Sequence, residues 1–169
     1  ARKIAIDIEP REVKIGNTSL GKIGLNLKDR FIESRYNSLD RIDEVEFSRY
    51  YNLTDAPESD QILREVSLNY TPVDALKLKT KYGYLKQSED FISERIYNEL
   101  KYSDKNRNQL EYVVDYVTTK NSDVTTDWNK QNGKVEVDVS IFRPGLDFLY
   151  ENKNVTNTDS LLSSSYRYV

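Results

Sequence analysis

The sequence predicts an all-β protein arranged as an antiparallel meander. Three observations support this fold class. Apolar and polar residues alternate with period two in one short segment after another. Turn-forming residues separate these segments. The 13 tyrosines and 5 phenylalanines argue against disorder, because disordered chains are poor in aromatic residues. We therefore expect a single β-sheet domain over residues 1–169, either complete or a segment of a longer chain.

The first sixty residues alternate less regularly than the rest. Residues 4–8, 13–15 and 23–27 predict strands, with a turn at 16–19. A strand near residue 47 and a helix over 28–46 both remain open. The stretch YNLTDAPESDQ, at 51–61, predicts an acidic loop.

Five alternating runs follow, at 65–70, 76–84, 92–102, 110–116 and 135–141. Turns are predicted at 72–74, 103–108 and 129–133. The string RPGL at 143–146 is either a tight turn or a bulge. Tentative registers place Lys81 near Glu65, Lys77 near Glu99 and Lys101 near Glu111. In each register, apolar residues face apolar residues and opposite charges oppose one another.

Whether the apolar face meets lipid or protein decides the function. Apolar residues make up only 37% of the chain and the mean hydropathy is -0.74. A soluble two-sheet core would use more apolar bulk, whereas the wall of a barrel needs one thin apolar layer. Tyrosines also concentrate toward predicted strand ends, as an interfacial aromatic girdle requires. The sequence therefore favours a transmembrane β-barrel or a segment of one, although tyrosine also favours strands in soluble sheets.

The barrel interpretation assigns residues to two faces. The predicted lumen-facing residues are Lys77, Lys79, Lys81, Arg95, Glu99, Lys101, Glu111 and Asp115. The predicted aromatic girdle consists of Tyr70, Tyr82, Tyr84, Tyr102 and Tyr112.

Two stretches resemble known proteins. The hairpin YTPVDALKLKTKYGYLK is similar to outer-membrane β-barrels of Gram-negative bacteria. Residues 20–53 resemble very large Bacteroidetes-type cell-surface barrels, such as the SprA-like translocon of the type 9 secretion system. In DRIDEVEFSRYYNL, the matching positions are Arg41, Glu46, Phe47, Arg49 and Tyr51. The resemblance implies an outer-membrane or cell-surface location and a role in transport or secretion.

Composition excludes several kinds of chemistry. Without cysteine or histidine there are no disulfides, thiolate metal sites or Cys and His catalysts. The net charge of -3 gives no basic excess for nucleic acid. The carboxylates at 40–46 and 55–60 predict solvated charge runs, with catalysis or calcium binding as weaker alternatives. We expect no cofactor, no metal site and no enzyme activity. We also expect no cleavable signal peptide, and the missing initial methionine predicts a processed or excised product.

The leading hypothesis is an outer-membrane pore or a surface-display or secretion scaffold. Its partners would be membrane lipid and other chains or segments that complete the barrel. The alternative is a soluble extracellular β-sheet module that binds a protein or glycan through loops 51–61 and 120–133. A hydrolase that uses Asp43 or Glu46 is the third hypothesis.

Overall fold

A computed structural model of the chain describes residues 1–33, 51, 60–87, 90–157 and 160–168. Within them the protein is one antiparallel sheet whose spatial order is the sequence order. Its strands are β1 (Arg2–Ile15), β2 (Thr18–Ile32), β3 (Gln61–Val73), β4 (Leu76–Gln87), β5 (Phe91–Ser103), β6 (Gln109–Asn121), β7 (Val124–Glu136), β8 (Gly145–Asn157) and β9 (Ser160–Tyr168). The predicted all-β meander is confirmed. Strands β1 and β9 are the two edges, so the described sheet is open and not closed into a barrel.

The N-terminal hairpin is more regular than its sequence predicts. The runs at 4–8 and 13–15 belong to the single strand β1, and the turn after it contains Gly16 at φ 60. The pairing of β1 with β2 skips Glu9 and Pro10. A bulge suits proline, which has no N–H to donate to the ladder. Gly24 lies under this bulge, where a Cβ atom would meet the Pro10 ring.

Later turns partly match the prediction. The connection between β5 and β6 spans the predicted 103–108 turn, and β3 passes into β4 near Asp74. The turn predicted at 129–133 is wrong, because these residues lie in the middle of β7. The β6–β7 turn instead lies at Ser122, which has a positive φ of 50. Loop 120–133 of the soluble-module hypothesis is therefore mostly strand.

Registers agree in face and differ by two residues in two hairpins. Lys101 lies directly opposite Glu111, as predicted. Lys81 lies opposite Ser67, and Glu99 lies opposite Lys79 instead of Lys77. A two-residue shift leaves every side chain on its predicted face, because the side-chain period of a strand is two. Matching apolar with apolar and polar with polar residues therefore cannot distinguish registers that differ by two residues.

Residues 28–32 of the possible helix belong to β2. Outside the described residues lie residues 34–46 of that segment, most of the resemblance motif, and the carboxylates of 40–46 and 55–59.

Buried apolar side chains form a small cluster on one face of the sheet. In the described part of the chain it consists of Tyr51, Leu63 and Leu85, with partly buried Phe91 packed against it. Tyr51 reaches this cluster from the connection between β2 and β3. The cluster is far too small to be the core of a two-layer protein, so most apolar side chains of the sheet lie elsewhere.

Candidate functional site

The sheet has one polar and one apolar face. All eight residues predicted to face a lumen lie on the same face, because cross-strand partners share a face. Direct pairs join Lys79 to Glu99 and Lys101 to Glu111, and Gly83 to Arg95. The five predicted girdle tyrosines lie on the opposite face, where Tyr82 pairs with Ile96 and Tyr102 with Leu110. Whether the polar face lines a lumen remains a prediction. Below, these are called the polar face and the apolar face.

A bidentate ion pair lies near the middle of the polar face. Arg95 donates from Nε and Nη2 to the two carboxylate oxygens of Asp115, each at 2.8 Å. Side-chain exposure is 7% for Arg95 and 15% for Asp115. The guanidinium also lies 5.5 Å from the centre of the Tyr97 ring. Planar, bidentate pairs of this kind hold both side chains in a fixed geometry.

Glu65 is the centre of a second charged group. Its carboxylate lies 3.4 Å from Lys28 Nζ and 3.6 Å from Lys81 Nζ. The hydroxyl of Tyr51 donates to the same carboxylate at 2.8 Å. Burial raises the pKa of the Tyr51 phenol, and the negative charge of Glu65 raises it further. Tyr51 therefore stays protonated and acts as a hydrogen-bond donor.

A cleft of about 310 Å³ opens on the polar face, lined by other residues than these ion pairs. Its lining comes from strands β1, β3, β4 and β5, so the polar face curves around it. The lining residues are Pro10, Asn69, Thr71, Lys77, Leu78, Lys79, Glu99 and Lys101.

The apolar face carries large side chains with no protein layer over them among the described residues. Ile6 is 50% exposed, Leu68 43% and Ile96 45%. Thr80 and Asn98 interrupt the apolar surface, and the Thr80 hydroxyl donates to Asn98 Oδ1 at 3.0 Å. Their hydrogen-bonding groups are thus partly paired with each other.

The apolar residues form a band that crosses the strands obliquely. One straight cross-strand row runs Ile6, Leu27, Val66, Tyr82, Ile96, Tyr116, Asn129 and Asn152. This row is apolar from β1 to β6 and polar on β7 and β8. On β8 the residues of this face that carry aromatic or aliphatic side chains lie two to six positions nearer the start of the strand, at Tyr150, Phe148 and Leu146. Beyond β7 the exposed apolar residues continue through Val137, Val139, Ile141 and Phe142.

Tyrosine hydroxyls point from this band to polar residues at its border. Tyr82 donates to Glu94 at 2.8 Å, and Tyr116 donates to Asp127 at 3.1 Å. Glu94 and Asp127 lie in the next row, together with Asp29 and Arg64, which form an ion pair at 3.2 Å. Tyr82 was predicted near a strand end, but it lies in the middle of β4. It marks the border of the band and not the end of the strand.

Sequence reasoning missed several contributors. Lys28 and Tyr51 complete the Glu65 group, and Tyr116 belongs with the border tyrosines. Trp128 lies within β7 on the polar face and donates to Glu151 at 2.8 Å. The misplaced turn at 129–133 hid the face of Trp128. The alternation of 110–116 did contain the signal for Tyr116.

Searches for other kinds of site in the described residues found none. No helix there is long and apolar enough to cross a membrane. No group of three or more Asp and Glu side chains in the same residues is arranged to hold a metal ion. Comparison of the chain with protein-family profiles, curated proteins and solved structures finds no match.

Proposed function

We propose that this chain forms part of the wall of an outer-membrane β-barrel. Its apolar face meets lipid, and its polar face lines a water-filled interior. The function is non-catalytic. The protein forms a pore, or a scaffold for surface display or secretion, and it selects what passes by the width and the charges of its interior.

The oblique apolar band is the observation that carries the proposal. Strands of membrane barrels cross the bilayer at an angle, so a lipid-facing band must shift along successive strands. From Ile6, at the centre of the apolar run on β1, to Phe148, at the centre of the run on β8, the shift is four residues over seven strand spacings. With about 3.3 Å per residue and about 4.8 Å per strand spacing, it corresponds to a tilt of roughly 20°. This is somewhat below the roughly 35–45° usual for such barrels.

The border tyrosines and the polar face support the same assignment. An interfacial tyrosine keeps its ring in the acyl region and its hydroxyl among polar groups. The hydroxyls of Tyr82 and Tyr116 donate to carboxylates at the border of the band, as such a placement requires. The open edges of the sheet require further strands, from this protein or from other chains, because unpaired backbone groups are not tolerated in lipid.

Fluorescence quenching by lipids brominated on their acyl chains tests the proposal. In a Trp128→Phe background, single tryptophans replace Leu68, Gln131 or Val135 in the protein reconstituted in vesicles. Leu68 and Gln131 lie in one cross-strand row, yet only Leu68 lies in the oblique band. We expect strong quenching at 68 and 135 and weak quenching at 131.

Equal quenching at 68 and 131 contradicts the oblique band. A protein that stays monomeric and folded without detergent contradicts the membrane assignment altogether. That result supports the alternative, a soluble extracellular module whose apolar face packs on protein.

A further inference from the structure

We propose that the cleft on the polar face binds a small multivalent oxyanion. Lys77 and Lys79 of β4 provide the charge, and Asn69 and Thr71 of β3 provide neutral donors. The inference concerns the polar face alone. It holds whether the apolar face meets lipid or protein.

The arrangement of charges in the cleft leaves two lysines unmatched. The ammonium group of Lys101 lies 2.5 Å from Glu99 and 3.3 Å from Glu111, so both carboxylates are directed to Lys101. No carboxylate of the described chain lies within ion-pair distance of Lys77 or Lys79. The cleft lining thus contains three lysines and one carboxylate.

The register brings like charges together at this place. Lys77 lies directly opposite Lys101. Like charges in directly opposed positions destabilise a sheet. Glu99 and Glu111 offset the charge of Lys101, and a bound anion would do the same for Lys77.

The spacing of the lysines indicates the class of ligand. Residues two apart on a strand share a face and lie about 6.6 Å apart. Two lysine side chains that start from Cα atoms at this spacing can both reach an anion with charged oxygens at its two ends, such as a diphosphate or a dicarboxylate. The cleft volume of about 310 Å³ admits a small ligand of this kind.

Isothermal titration with inorganic pyrophosphate tests the proposal on the folded full chain at low salt. We expect saturable binding that the double variant Lys77→Gln/Lys79→Gln weakens by about tenfold or more, because two charge-assisted contacts are lost. Lys134→Gln is the matched control. Lys134 lies on the same face but is bound to Glu136 at 2.7 Å, so its replacement should leave the affinity nearly unchanged.

Glu99→Gln should change the affinity for pyrophosphate in the opposite direction to the double variant, which a general loss of folding could not do. The substitution removes the one carboxylate of the cleft lining and leaves Lys101 paired with Glu111 alone, so we expect tighter binding of pyrophosphate by several-fold. The proposal is overturned if pyrophosphate does not bind, or if Lys134→Gln weakens binding as much as the double variant does. It is equally overturned if Glu99→Gln weakens binding.

Discussion

The pair Arg95–Asp115 shows what an individual contact contributes to this sheet. Both side chains are largely shielded from water, and each satisfies the other through two hydrogen bonds. Removal of Asp115 takes the bidentate carboxylate partner away from a largely buried guanidinium. We expect Asp115→Asn to lower the free energy of unfolding by about 3–5 kcal/mol in urea titrations of the refolded protein. The double variant Arg95→Met/Asp115→Leu should regain most of this loss, and a loss equal to the sum of the single variants would contradict the account.

Gly83 is required for space and not for backbone freedom. A Cβ atom at this position would collide with the hydroxyl of Tyr51, which donates to Glu65. We expect Gly83→Ala to displace the Tyr51 ring and to destabilise the protein by about 1–3 kcal/mol, as overpacking does. In a Tyr51→Ala background the same change should cost little, because the colliding ring is gone. A double-mutant cycle by urea denaturation measures this coupling, and additive effects would exclude the contact.

Among single connections, the β5–β6 turn carries the clearest titrating group. Asp104 accepts from the side chain of Asn108 at 2.8 Å and from the backbone N–H groups of Asn106 and Asn108 at 2.8 and 2.9 Å. The hydrogen bond from the Asn108 side chain lowers the pKa of Asp104 most; loss of solvent contact opposes this shift, and the two backbone N–H groups lower the pKa further.

A lowered pKa fixes the direction of the pH effect on this turn. The unfolded chain binds a proton more tightly than the folded chain, so the stabilisation is present above the pKa of unfolded aspartate, about 3.9, and is lost as the pH falls below it. We expect amide exchange protection of Asn106 and Asn108 to fall on acidification from pH 6 to pH 3, after correction for intrinsic exchange rates. Asp104→Asn should show low protection that changes little over this range, and equal pH dependence in both proteins would contradict this role.

Periodicity fixes faces more firmly than it fixes turns or registers. The alternation at 65–70, 76–84, 92–102 and 110–116 is enough to place the lysines predicted for the lumen on one face of the sheet and the tyrosines predicted for the girdle on the other. Turn chemistry identified 103–108, where Asp104 organises the loop, but it misled at 129–133. There, four polar residues and Gly133 lie in mid-strand, and Phe148 covers the position that a Cβ atom at Gly133 would fill. The amino-acid types at 129–133 favour turns, and they give no indication that the ring of a residue on the neighbouring strand fills the space above the glycine.

The two faces of the sheet differ in how their side chains are covered and paired. Ion pairs and the Tyr51 cluster order the polar face, while the apolar face receives no covering layer from the described residues. A two-layer soluble protein would place its largest cluster between layers. Here the most extensive apolar surface is an exposed band that slopes across the strands. Neither the strand propensity of the residues nor the pairing register by itself dictates this slope.

Lysine substitutions at two positions of one cross-strand row distinguish an oblique apolar band from one that runs straight across the sheet. Ile96 and Asn129 occupy the same row on the apolar face, and only Ile96 lies inside the band. We expect Ile96→Lys to destabilise the protein folded in lipid vesicles by about 1–2 kcal/mol, less than the about 2–4 kcal/mol of a lysine at the bilayer centre, because Ile96 shares its row with the border tyrosines Tyr82 and Tyr116. Asn129→Lys should change stability by no more than about 1 kcal/mol, because that position lies in water or among headgroups. Reversible urea unfolding in vesicles measures both values. Equal losses at 96 and 129 would place both side chains at one depth, and a straight band would then replace the tilted one.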